Sequence, residues 1–364
     1  MLPPRIIRRL VLAPLTTVIA MAVAVLFPLL AILTWIFDHL ARSRPGRNRP
    51  LRLVFFALVW LFADTSAVFM GLALWIASGF GGRLRTEPFQ IRHYAVMQWF
   101  LDRVYAGAAR AFGLRVEVDE PELTEAELAS RLSRPVIVLS RHAGPGDSFL
   151  LVRQLLSVYG RRPRVVMKAS LQLDPGLDVV AGRLPNVFIS RAKSGERVFV
   201  EQIERLAKGL DDAGALVIFP EGGNWTPNRW DRAIQRLERL GRRDLAARAR
   251  QMPNLLAPRS GGAFTAIEAC PRADVIFVAH AGLDRLVTVS DVWKNLQVNQ
   301  TIRAKWWRVP GDQVPRGLDH EAQLRWLYDW WKVIDDWISA NRPAAPLPGH
   351  PVVAEADEAP APGG

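Results

Sequence analysis

Cysteine is almost missing from this chain of 364 residues, Cys270 being the single example. An intramolecular disulfide is therefore excluded, and no cysteine pair has the spacing of a zinc site. Negative charge is also short: 35 acidic residues face 47 basic ones, nearly all of them Arg, for a net charge of +12. That imbalance points to an anionic partner. Nucleic acid is one candidate, and anionic lipid headgroups or the phosphates of coenzyme A serve equally well. No internal repeat is visible.

What the chain has in abundance is apolar length. Hydrophobic residues make up 50% of it, and mean hydropathy is slightly positive at +0.07, high for a wholly soluble protein. Residues 11–37 carry no charged side chain, and residues 53–78 are interrupted only by Asp64. Each stretch exceeds the ~20 residues needed to cross a hydrocarbon core, and signal peptides have much shorter apolar regions. Both are read as retained membrane segments, with a buried core helix as the alternative for either. Their flanks are all basic: Arg5, Arg8 and Arg9 before the first, Arg42 to Arg52 between them, Arg83 and Arg85 after the second. Positive residues favour the cytoplasmic side, so a hairpin embedded from that face and two full crossings both stay open. Residues 1–88 are expected to form a two-helix membrane anchor, residues 89–342 a catalytic domain, and the Pro/Ala/Gly-rich residues 343–364 a disordered tail.

Beyond the anchor, residues 89–112 have helical periodicity, and residues 114–118 alternate like an opening strand. Strand and helix then take turns. Strands are expected at residues 136–139, 164–168, 186–189, 215–219 and 274–279, and helices at 148–159 and 195–210. This alternation predicts an α/β fold with a mostly parallel sheet flanked by helices. Residues 229–251 carry eight Arg with a partial apolar stripe and read as a solvated helix or a surface for anionic lipid. Residues 320–340 form a helix with Trp326, Trp330, Trp331 and Trp337, suited equally to core packing and to interfacial anchoring.

The chain is organised around residues 136–147, V-I-V-L-S-R-H-A-G-P-G-D. A short apolar strand ends just before His142, the Gly144-Pro145-Gly146 turn breaks the backbone, and Asp147 falls in the first turn of the next helix. Ligands bind at this edge of open α/β sheets. The short loop lets Asp147 reach the imidazole, fix its tautomer and leave the other nitrogen free to take a proton. The alternative is a helix cap beside a polar loop residue. Neither Ser140 nor Ser148 lies in a G-x-S-x-G elbow.

A second motif, Phe219-Pro220-Glu221-Gly222, also follows an apolar run. The two together, in this order, resemble the glycerolipid acyltransferase family typified by lysophosphatidic acid acyltransferases, over residues 110–315. In that family the His acts as general base on a lipid hydroxyl that attacks the thioester of an acyl carrier, a role assigned here to His142 with Asp147. Lys168, Leu171 and the Asp174-Pro175-Gly176 turn resemble a further motif ending in Phe188-Ile189-Ser190-Arg191, whose Arg binds the acceptor phosphate. Pro185 and Ser190 depart from the usual Gly and Asp. After Gly222 come Gly223 and Asn224, where many members have Thr-Arg. Glu221 stands either to contact the acceptor or to hold its turn, and Arg259, in L-A-P-R-S-G-G, resembles a support for anion binding. The family's last motif, normally carrying Pro, has Phe277 in that place.

The resemblance implies a membrane enzyme that moves an acyl chain from acyl-CoA or acyl-ACP to a lysophospholipid, lysophosphatidic acid first. It implies no metal, prosthetic group or nucleic-acid partner, and a catalytic domain at the cytoplasmic face of the cell membrane. A lipid thioesterase, a different lysolipid acceptor and a non-catalytic lipid-binding protein are the alternatives.

Overall fold

A computed structural model describes residues 2–40, 49–120, 133–189, 196–283 and 299–342. The expected tail and Arg191 lie outside the described residues.

The first helix winds from Arg5, its regular part being α1 (Ala13–Leu40). Then come α2 (Arg49–Ala77) and α3 (Glu87–Phe112). Both N-terminal helices are long and apolar enough to cross a membrane. They differ in how they are covered. Along α1 the apolar side chains stand bare, Val25 being 78% exposed. Helix α2 instead turns Ala63 and Ala67 inward. They join a cluster with Tyr94, Met97, Phe100 and Leu101 of α3. Small residues four apart let two helix backbones approach closely. The boundary expected at residue 88 falls in the first turn of α3, which shares one packed cluster with α2.

The remaining elements are β1 (Arg115–Asp119), β2 (Val136–Ser140), α4 (Pro145–Arg153), β3 (Arg162–Lys168), α5 (Pro175–Val180), β4 (Val187–Ile189) and α6 (Glu196–Lys208). After them follow β5 (Gly214–Ile218), α7 (Pro227–Arg239), α8 (Arg243–Arg250), α9 (Ser260–Ala269), β6 (Asp274–Ala281), β7 (Thr301–Val309) and α10 (His320–Asn341). The sheet has seven strands in the order β1-β7-β6-β2-β5-β3-β4. Every pairing is parallel except β6 with β7. The mostly parallel sheet flanked by helices is therefore as expected.

Strand β2 is central, and all five of its residues are buried, which explains why it reads as a continuous apolar run. Ile137 and Leu139 face the larger core together with Leu216, Phe277 and Trp331. Val136 and Val138 face the opposite way, with Val165 and Val217, against Leu151 and Leu155. Burying each such side chain contributes about 1.5–3 kcal/mol.

Three expectations change. Strand β7 was not read from the sequence, and it gives the sheet its antiparallel pair. The Arg-rich stretch is two helices, α7 and α8, because the chain turns at Leu240-Gly241. The tryptophans of α10 serve the core: Trp331 is fully buried, and Trp330 stacks on Phe277 with centroids 4.5 Å apart.

Candidate active site

Strand β2 delivers Arg141 and His142 to the carboxyl edge of the sheet. Arg141 is fully buried. Its guanidinium donates to the carbonyl of His280 at 2.6 Å and to that of Asn254 at 3.3 Å. It thereby ties the end of β2 to the end of β6 and to the loop after α8. The His142 backbone is held on both sides: its N–H donates to Glu221 Oε1 at 2.8 Å, and its carbonyl accepts from the N–H of Trp225 at 2.8 Å. Its ring lies 4.6 Å from that of Phe219.

Asp147 sits in the first turn of α4, as the sequence predicts. Both carboxylate oxygens lie 3.1 Å from His142 Nδ1. Oδ2 also accepts from the N–H groups of Ala143 at 2.7 Å and Gly144 at 3.1 Å. Oδ1 accepts from the Ser148 N–H at 2.6 Å and its hydroxyl at 3.1 Å. So Asp147 caps its helix and orients the imidazole at once, and the two readings of the motif are not rivals. Burial by itself would push the Asp147 carboxyl up, but the hydrogen bond from His142 and the proximity of the His280 ring outweigh it and hold the group below the usual carboxylate range. With Nδ1 engaged by an ionised carboxylate, Nε2 is the nitrogen left to accept a proton.

Glu221 holds the turn. It is buried, and its second oxygen accepts from the Leu256 N–H at 3.0 Å. Burial pushes its carboxyl up to about 8, against the pull of Arg141 and the two N–H donors. With both oxygens occupied by backbone N–H groups, it supports the loops around His142. Gly222 follows with φ +68°, a left-handed conformation that suits glycine. The Arg259 side chain passes beside it, and the Arg259 N–H bonds to the Pro220 carbonyl at 3.1 Å.

His142, Lys168, Leu171 and Gly222 line one cavity of about 680 Å³. Its walls are mainly apolar, including Met97 and Leu101 of α3, Phe149 and Val152. Strand β3 lines it from Pro163 to Lys168, about 16 Å of strand at ~3.3 Å per residue. The structure thus brings His142, Asp147, Lys168, Glu221, Gly222 and Arg259 to one end of the sheet.

Two residues were missed by the sequence reading. Asp64, the one charge in the second apolar stretch, accepts from the Gly176 N–H at 2.6 Å. A Cβ at Gly176 would lie 2.4 Å from that oxygen, so the Asp-Pro-Gly turn closes on α2 only because glycine stands there. The other is His280, which lies 3.6 Å through Nε2 from Asp147 Oδ2. A lone charge inside an apolar helix was the available signal for Asp64; for His280 it was an imidazole directly after the apolar run Val275 to Ala279.

A mostly parallel α/β sheet carries an imidazole–carboxylate pair at its carboxyl edge, beside a largely apolar cavity. Residues 115–281 match the family model described as Acyltransferase. Residues 115–281 thus form an acyltransferase-type domain, which supports a glycerolipid acyltransferase family and an acyltransferase activity in general. No curated protein matches the chain.

Proposed function

We propose that the protein is a membrane-anchored O-acyltransferase that moves a fatty acyl chain from acyl-CoA or acyl-ACP to the hydroxyl of a lysophospholipid, with lysophosphatidic acid as the preferred acceptor. The observation that carries this reading is the His142–Asp147 pair opening onto a largely apolar cavity of about 680 Å³. A thioester is already activated, so the demand on the protein is to deprotonate the alcohol. Nε2 of His142 takes the hydroxyl proton as the oxygen attacks the thioester carbonyl. The imidazolium is stabilised by Asp147, and it returns the proton to the departing thiolate. A positioned base contributes typically ~10²–10⁴-fold to such a step. The apolar cavity suits the acyl chain. Lys168 lines it and Arg259 flanks Gly222, which suits anionic groups near its polar end. Arg191 is the expected phosphate ligand. The two N-terminal helices would hold the domain at the bilayer, with basic flanks favouring the cytoplasmic face.

The test feeds purified protein with labelled acyl-CoA and a panel of lysolipids. Diacyl product with lysophosphatidic acid is expected, and Arg191→Ala should raise the KM for that acceptor by at least ~10-fold, since a charge-assisted bond is worth roughly 1.5–3 kcal/mol. Release of free fatty acid without diacyl lipid would make the enzyme a hydrolase. An unchanged acceptor KM in the variant, with a neutral lysolipid used equally well, would shift the acceptor class away from phosphate monoesters.

A further inference from the structure

His280 is the last polar residue of β6, and the two-residue period of the strand decides where it points. Val275, Phe277 and Ala279 belong to the large core on one face. Ile276 and Val278 pack against the cluster on the other. His280 shares their face, the one that α4 covers and from which Asp147 projects. A smaller cavity of about 160 Å³ occupies that face, and both Asp147 and His280 line it. His142 lines only the larger cavity. Asp147 therefore stands between two imidazoles that approach from different sides.

The His280 ring is 7% exposed, and neither of its nitrogens has a hydrogen-bond partner among the described residues. A buried imidazole without partners is costly, and an apolar side chain would fill the same space at less cost. Its nearest polar group is Asp147 Oδ2, 3.6 Å from Nε2, beyond a hydrogen bond but within ion-pair contact. The other charged groups lining its cavity are engaged elsewhere. Arg308 pairs with Asp274 at 2.7 Å, and Lys305 pairs with Asp119 at 2.6 Å. Arg161 donates to the carbonyls of Arg134 and Asp212, and Glu120 accepts from the Tyr159 hydroxyl.

We propose that His280 is a positioning residue that shares the Asp147 carboxylate with His142 and so sets the basicity of His142. This rests on the reading of His142 as the base. As His142 takes up the hydroxyl proton, its imidazolium draws on the Asp147 charge. An N–H of His280 directed at the same carboxylate withdraws part of that charge, whether the His280 ring is neutral or protonated. His142 is then a weaker base and remains deprotonated to lower pH. Removing His280 leaves Asp147 wholly to His142, whose basicity rises.

The experiment measures kcat/KM against pH with labelled acyl-CoA and the lysolipid that turns over best. Wild type is compared with His280→Leu, His280→Asn and His280→Gln. Leu removes the N–H, and Asn places one near the Nδ1 position, too short to reach Asp147. Both should move the acid limb up by about half a pH unit or more. Gln returns an N–H near the Nε2 position and should keep the limb within about 0.2 unit of wild type. The polar Asn variant carries the test should Leu fail to fold. Acid limbs in folded Asn and Leu variants that coincide with wild type would overturn the inference, as would an equal shift in all three variants. Retained turnover in His142→Ala would instead remove the base assignment. An inactive His142→Ala with wild-type limbs in every His280 variant would remove only the role of His280.

Discussion

The strand-end site and the N-terminal helices both bury charge, and they do so in opposite ways. At the site, Asp147 and Glu221 are wrapped in N–H donors from five residues: Ala143, Gly144 and Ser148 for the first, His142 and Leu256 for the second. Each carboxylate is saturated by backbone, so the loops cannot shift without breaking several bonds together. In the helices, α2 packs into the domain through an apolar cluster, and its buried charge meets few polar partners. Asp64 of α2 meets one N–H, that of Gly176. Before α1, Arg8 and Arg9 grip Asp178 at 2.8 and 3.1 Å, while the helix beyond them leaves its apolar side chains bare. The first region is rigid because polar groups are over-determined. In the second, α1 is held at its start by one ion-paired cluster, and its apolar side chains stay largely exposed.

This contrast can be broken from either side, starting with the site. Glu221→Ala would leave two N–H groups without acceptors, at roughly 1–3 kcal/mol each, and would free the loop carrying His142. Both thermal stability and turnover should fall steeply, read by melting curves in detergent and by initial rates. A variant that melts like wild type but loses only acceptor affinity would return Glu221 to the substrate-contacting role.

A smaller effect on the catalytic domain is expected at the tether. Removing one partner of a buried ion pair costs about 3–5 kcal/mol when the other stays buried. Asp178→Asn should therefore release the N-terminal segment instead of unfolding the domain. Tryptic cleavage at Arg8 and Arg9 should accelerate, with little change in the melting of the catalytic domain. Unchanged cleavage would mean that the segment is held by more than this pair.

The sequence is most legible where local pattern and tertiary role coincide. The run Val136–Leu139 is continuously apolar because β2 is buried on both faces, and the Gly-Pro-Gly turn sets the reach from His142 to Asp147. Strand β7 alternates only from Ile302 to Trp306, where Trp307 and Arg308 break the pattern, and pairing with β1 and β6 makes it a strand of nine residues. The break between α7 and α8 hides in one glycine within an otherwise helical, Arg-rich stretch. For Glu221 the motif marks the residue but not its direction, since its partners His142 and Leu256 come from two other segments. His280 reaches Asp147 from 133 positions away, a relation that only the order of strands creates.

The central claim is that the imidazole at the end of β2 is the base, and substituting it is the most direct test. His142→Ala removes no partner from the Asp147 network except the ring itself, so the N–H bonds of Ala143, Gly144 and Ser148 persist and the fold should hold. Acyl transfer should drop by ~10²–10⁴-fold, with binding of the lysolipid acceptor preserved in an equilibrium assay. A folded His142→Ala protein that keeps more than about a tenth of wild-type turnover would contradict the account, because the loss would fall below that expected for any general base.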